Sequence, residues 1–393
     1  MQLHPMWRTC QRALQGPARV SVSVFACRAF SATGVRSRGA LPVFLEASKP
    51  ELSSLLATVN SQLLLPQHLT KEQQELVFRV KNKAMLDAEP VEITLGDVTV
   101  PLQHMDKCKL PPRWPTVSAI VRLSETPQDW ENVLRMLAGF ENAGIGLSSP
   151  RQAMIVRKLH RHGQHHLILK ALQRPKASGL YMRSWDVAAA VFRAAYDKAA
   201  LADWDKDETH KALRLATQFV ELLEHDEHCG ALAGSPDDLR GHPAIIAVPT
   251  ALAAVMALRH QGPVQDVNQL AGRLVAALGQ HDYLKSFQAS PQLFAAAQSD
   301  FESNTKQQRH AAQAWNHAVR LVWLSNALTT SLKVLGHDMP RSAEAKQYQS
   351  EVARLLHDAS EALKRWQTKD GKAILGSMTN YIFDVADKTE ASP

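Results

Sequence analysis

The sequence predicts a mainly α-helical protein of stacked, α-solenoid-like helix pairs, with one small β-hairpin near residues 91–102. Two observations carry this reading. Apolar residues recur at three and four positions through most of the chain after residue 46, as on helices that bury one face. One short stretch, "VEITLGDVTVPL" (Val91–Leu102), instead alternates with period two around Gly96–Asp97, which is a hairpin signal with glycine at the first turn position.

The elements follow in order. The first 45 residues hold Arg8, Arg12, Arg19, Arg28, Arg36 and Arg38, and the first acidic residue is Glu46. Together with their Ser, Ala and Val content this is the composition of a mitochondrial transit peptide, and "CRAFSATG" resembles an arginine-guided cleavage pattern. Residues 1–45 are therefore expected to be an address segment for the mitochondrial matrix. Net charge over all 393 residues is +7; removing residues 1–30 takes four arginines with it and leaves about +3. Much of the basicity then belongs to the leader. The four cysteines form no C-x-x-C pair and no disulfide framework, in keeping with a reducing interior.

Residues 46–111 form a first region. "KPELSSLLATVNSQLLL" opens at Pro50 and "TKEQQELVFRVKNKAMLD" at Thr70, with Glu72 close behind; both have helical spacing. The hairpin follows, and "KLPPRWP" (Lys109–Pro115), with three prolines in seven residues, reads as a boundary. Residues 112–235 read as helix–turn–helix units: "TVSAIVRL" with "DWENVLRMLAGFENAGI", "SPRQAMIVRKLHRHG" with "QHHLILKALQRPKASGL", and "SWDVAAAVFRAAYDKA" with "DETHKALRLATQFVELLEH". The polar "HDEHCGALAGSPDDLRGHP" separates them from a last helical region, 236–393. That region includes the apolar run Ala244–Leu258, 15 residues with Pro249 inside, short of the roughly 20 a membrane span needs. The run reads as a buried helix. No transmembrane segment is expected, and peripheral membrane association stays open.

A shift of 35 residues places Gly144 on Gly179, Ile145 on Leu180, Leu147 on Met182, Ser149 on Ser184, Ala153 on Ala188 and Val156 on Val191. This period, with Gly–aliphatic closing one pair and Ser opening the next, resembles the pentatricopeptide repeat family over about residues 116–230. The resemblance implies helix pairs stacked into an RNA-binding array. At the positions where that family reads bases, this chain carries mainly Ala, Met and Val, which speaks against a base-by-base code.

Charge is distributed unevenly. Between Asn142 and Trp185 there is no Asp or Glu, while Arg151, Arg157, Lys158, Arg161, Lys170, Arg174, Lys176 and Arg183 all fall there. Residues 186–240 carry twelve acidic and six basic side chains. A basic stripe beside aromatic rings suits a phosphate backbone with base stacking, so these eight cations, with Tyr181 and Trp185 as stacking platforms, are the candidate RNA contacts.

Four histidines, at 160, 162, 165 and 166, lie inside the same window in "KLHRHGQHHLILK". Metal binding needs three or four converging ligands. Gly163 is expected to break the helix that would align His162 with His166, so the cluster reads as the polar rim of the basic surface. "HDEHC" (His225–Cys229) reads as a polar linker. No G-x-S-x-G, phosphate loop or dinucleotide fingerprint is present, so no catalytic residue, metal or cofactor is expected. The sequence thus predicts a non-enzymatic scaffold in mitochondrial gene expression that contacts RNA or the mitochondrial ribosome. The alternative is an assembly factor that holds a protein subunit of a respiratory-chain complex.

Overall fold

A computed structural model describes residues 40–88, 91–96, 98–230, 238–280, 283–288 and 304–364. Residues 1–39, most of the expected leader, lie outside the described residues, as does the stretch "ILGSMTNYIFDVADK" in the last of the expected helical regions. Residues 289–303 of the same expected helical region lie outside them too.

Helix α1 (Pro50–Thr58) starts with proline at a position where the missing N–H costs nothing. It runs through a π-helical turn, Val59–Leu64, into α2 (Leu65–His68). Helix α3 (Lys71–Phe78) opens with a reciprocal capping box, in which the Gln73 N–H donates to Thr70 Oγ1 at 3.2 Å and the Thr70 N–H to Gln73 Oε1 at 2.9 Å. The partner is Gln73, not the Glu72 to which the sequence points, because only the third helical residue reaches back to the cap. After α4 (Lys83–Ala88), strands β1 (Glu92–Leu95) and β2 (Val98–Pro101) pair antiparallel with Leu95 opposite Val98. That register leaves a two-residue turn, and Gly96 adopts φ +64° there, as such hairpins require.

Helix α5 (Arg113–Leu123) begins earlier than expected and takes Pro115 into its first turn, where a helix tolerates proline. Helix α6 (Pro127–Asn142) is anchored by a second capping box, Thr126 with Asp129. The residues just before α1 lie extended across α6. Leu45 and Asn132 exchange two hydrogen bonds at 2.7 and 3.0 Å. Ser48 donates to Asp129 from its N–H at 3.0 Å and from its hydroxyl at 2.7 Å. Gly139 on α6 supplies the clearance: an added Cβ would stand 2.7 Å from Leu64 Cδ1 and 2.9 Å from Pro42 Cγ.

Beyond α6 the helices α7 (Ser149–Arg161), α8 (His165–Leu172), α9 (Pro175–Ser178), α10 (Trp185–Ala200) and α11 (Lys206–Leu223) continue the pairs. They are followed by α12 (Pro243–His260), α13 (Val264–Gly279), α14 (Tyr283–Gln288), α15 (Asn304–Leu335) and α16 (Ser342–Lys364). Helices α7, α10, α12 and α15 pack one against the next, while α11, α13 and α16 each pack beside their own partner. The 35-residue register has a physical basis. Gly144 and Gly179 share φ +69° at helix C-termini, and the paired positions Leu147/Met182, Ala153/Ala188 and Val156/Val191 are all buried.

The stack is closed by large side chains at its centre: Trp204, Trp323, Tyr196, Phe192 and Phe219 are each at most 2% exposed. Tyr196 of α10 accepts from Asn326 Nδ2 of α15 at 2.8 Å, and Thr330 donates to Asn326 Oδ1 at 2.8 Å. This buried polar chain fixes the register of the two helices. Helix α12 is the one described helix long and apolar enough to cross a membrane, and 78% of its apolar window is buried inside the protein. Its apolar surface serves the core, including Pro249. The described residues all fall within one compact unit.

Candidate functional site

The eight cations of the acid-free window divide into two groups in three dimensions. Four are held by the chain itself. Lys170 pairs with Glu131 of α6 at 2.6 Å, and Lys176 with Glu227 at 2.6 Å. Arg183 donates to the Glu227 carbonyl at 2.8 Å and lies 4.5 Å over the Tyr181 ring, while Arg151 lies 4.8 Å over Trp114. The other four, Arg157, Lys158, Arg161 and Arg174, have no carboxylate within ion-pair distance among the described residues.

Three of those four share one place. Arg157, Lys158 and Arg161 stand on the last turns of α7, where Arg161 lies three residues from Lys158 and four from Arg157 and so neighbours both on the helix surface. The helix dipole favours cations there, which stabilises the cluster before any partner arrives. Arg174 lies at the α8–α9 junction.

The aromatic candidates are engaged within the fold. Tyr181 is half-buried, donates its hydroxyl to Glu141 at 3.2 Å, and is raised in pKa by burial and by that carboxylate. The Trp185 ring lies 4.3 Å from the His242 ring, with the Arg320 guanidinium 4.1 Å from its centroid. Both rings serve as platforms for the protein's own cations.

The histidines are not a uniform rim. His162 and His166 are exposed, whereas His160 and His165 turn inward as a hydrogen-bonded relay. His165 Nδ1 donates to the Gly163 carbonyl at 3.2 Å, which leaves its Nε2 to accept from His160 Nδ1 at 3.0 Å. His160 Nε2 then faces buried Asp197 at 3.3 Å. Burial, then the nearby His160 and Lys198, push the His165 ring down to about 4. The expectation that all four line a basic surface is thus corrected: the turn at Gly163, φ +70°, folds two of them back onto α10. In the second cluster, His228 is buried. It accepts from the Met182 N–H at 3.2 Å and donates through Nε2 to the Leu172 carbonyl at 2.8 Å. It is a joint between α8, the 180–184 loop and the segment after α11, not a linker residue. Among the described residues no three His, Cys, Asp or Glu side chains gather as metal ligands.

Sequence reasoning missed two arginines. Arg193 of α10 and Arg320 of α15 converge with Arg157 of α7 on one notch. Neither lies in the acid-free window, so a charge count along the chain could not find them.

A stack of helix pairs carrying unpaired cations defines a helical scaffold with a polyanion-compatible face. Comparison with known proteins sharpens this class. The description of the Mrp13 family, mitochondrial ribosomal protein mS27, matches residues 28–380. The chain belongs to the mitochondrial ribosomal protein mS27 family, which places it in the mitochondrion. It is 27% identical over 223 residues to the small ribosomal subunit protein mS27 of Neurospora crassa. That alignment covers 56% of this chain and 54% of the relative, so the chain spans about half the length of the curated relative it matches.

Proposed function

We propose that this protein is a non-enzymatic component of the small subunit of the mitochondrial ribosome, working in the matrix, and that it contacts ribosomal RNA through the cationic end of α7. The observation that carries the reading is the family match across residues 28–380. The unpaired Arg157, Lys158, Arg161 and Arg174 support RNA as the direct partner, since each phosphate contact releases condensed counterions and gains free energy from them. The Leu147/Met182, Ala153/Ala188 and Val156/Val191 burial register supports descent of the helix pairs from a pentatricopeptide-type repeat. Recognition then rests on backbone charge and shape, because Tyr181 and Trp185 are occupied inside the fold.

Crosslinking in isolated mitochondria, followed by sequencing of the bound RNA, tests this. The expected result is small-subunit ribosomal RNA recovered with the wild-type chain and depleted several-fold with Lys158→Gln/Arg161→Gln/Arg174→Gln. Background RNA together with a defined respiratory-complex subunit would replace this reading with the assembly-factor one.

A further inference from the structure

The notch between α7, α10 and α15 gathers three arginines, and its own carboxylates, Asp197 on Arg193 and Asp186 at the edge, offset only part of their charge. A cavity of about 50 Å³ is lined by Arg157, Trp185, Asp186, Arg193, Asn316 and Arg320, among others. Two of its three guanidiniums sit on indole rings: the Arg320 Cζ lies 4.1 Å from the Trp185 centroid, and the Arg193 Cζ lies 4.0 Å from that of Trp315. Such contacts satisfy part of the charge through the ring and leave N–H donors available for other acceptors. Arg193 spends its Nε on Asp197 at 3.0 Å. Arg157 and Arg320 contact no carboxylate among the described residues.

The surroundings of Arg320 make its charge costly. Burial lowers its pKa, and its hydrogen-bonding neighbour is the Tyr283 hydroxyl, not an anion. Burial and then the Arg320 charge push His242 down to about 3 and His317 to about 4, so both rings around it are held neutral. Arg157 is lowered too, first by burial and then by Arg193. Asp186 acts on both Arg157 and Arg320 from a distance and offsets part of the charge. Arg157 is exposed while Arg193 and Arg320 are half-buried, and cations held this close against their own repulsion are stabilised by an anion that supplies the missing acceptors.

The shape limits what that anion is. The cavity is a few times the roughly 10–15 Å³ that one water requires, and suits a small oxyanion group in place of a base or a folded peptide. Guanidinium forks match phosphate oxygens bidentately. Lys158 is next to Arg157 in sequence and Arg161 lies one helical turn beyond it, so cations continue outward from the notch along α7. A row of cations leading into a seat for one anion fits a polymer of repeated charges.

We propose that the Arg157–Arg193–Arg320 notch is a seat for a single RNA phosphodiester, with Arg157 and Arg320 as donors and Arg193 as the residue that positions them. This rests on the ribosomal-RNA reading above and adds to it a defined anchoring phosphate. Asp186 at the edge of the notch works against the anion and keeps the seat weak for isolated ions.

Two measurements on the full chain test the seat. In the first, inorganic phosphate replaces chloride at constant ionic strength while the melting temperature is followed. Phosphate is expected to stabilise the wild type, to lose that effect with Arg157→Gln, and to stabilise Asp186→Asn more strongly. In the second, a transcript of small-subunit ribosomal RNA is titrated at several salt concentrations. Arg157→Gln is expected to weaken binding about tenfold and to reduce the slope of log K against log salt by about 0.7 to 0.9, one phosphate's worth. Asp186→Asn is expected to bind more tightly, which keeps the test informative if Arg320→Gln fails to fold. An unchanged slope and affinity in Arg157→Gln, with the Lys158/Arg161/Arg174 variant weakened, overturns the seat and leaves the broader RNA reading standing. Wild-type chain that binds no RNA overturns both. Stabilisation of the wild type by a phosphopeptide, with none by RNA, assigns the notch to a protein partner and overturns the proposal.

Discussion

At the scale of single residues, two glycines show how context sets the cost of one methyl group. Gly163 and Gly179 have nearly the same φ, +70° and +69°, so an L side chain is strained at either. Around Gly163 an added Cβ meets nothing within 4 Å, whereas at Gly179 it would stand 2.8 Å from Glu141 Oε2. Gly163→Ala is expected to cost about 1 kcal/mol, the left-handed penalty alone. Gly179→Ala is expected to cost about 1 kcal/mol more, because Glu141 must move and Tyr181 then loses its acceptor. Urea midpoints of the two variants check this; equal losses would show that Glu141 swings aside freely. The glycines were legible as helix ends in the 35-residue register. The carboxylate against one of them was not, since it comes from the preceding pair.

At the scale of elements, α6 organises what precedes it. Asp129 caps its own helix and also receives Ser48 through two hydrogen bonds. Burial pushes this carboxyl up, but the donors from Ser48, Thr126 and Glu125 outweigh it and hold the pKa well below the usual carboxylate range. Asp129→Ala removes the cap and leaves those N–H groups with no acceptor, for an expected loss of about 3 kcal/mol. Asp129→Asn keeps one acceptor oxygen and is expected to lose about half as much. Hydrogen exchange should show the Leu45 and Ser48 amides losing protection first. Retained protection there in Asp129→Ala would refute the coupling. The sequence announced α6 through its apolar spacing and placed residues 40–45 in the leader. Its lacing to that segment depends on side chains 81 to 92 positions apart, which no local pattern encodes.

At the scale of the molecule, the helix stack was legible because apolar periodicity is a local consequence of burying one helix face. The acid-free window was a fact about the chain and not about the surface. Glu131 and Glu227 lie outside it in sequence yet pair with Lys170 and Lys176, while Arg193 and Arg320 enter from elsewhere. Inward-facing histidines spread across the stack also give it a common acid response. Burial, with neighbouring charge, takes His165 and His317 from 6.5 to about 4 and His242 to about 3, and burial lowers His228 as well. Below pH 6.5 the unfolded chain takes up protons that the folded rings refuse. Stability is therefore full above that pH and is lost as pH falls through about 4, at about 1.4 kcal/mol for each unit of depression. The melting temperature is expected to be level above pH 7 and to fall steeply from 6.5 to 4, less so in His165→Gln/His317→Gln. A level curve across that interval would contradict the burial of these rings.

The lacing of residues 42–48 onto α6 bears on the order of events during synthesis. Their partners Asp129, Asn132 and Arg135 leave the ribosome that makes this chain only after some eighty further residues. Closing so long a loop comes late, so this stretch stays accessible until α6 is in place. Docking onto α6 then takes these backbone groups out of reach of anything that acts on an extended chain.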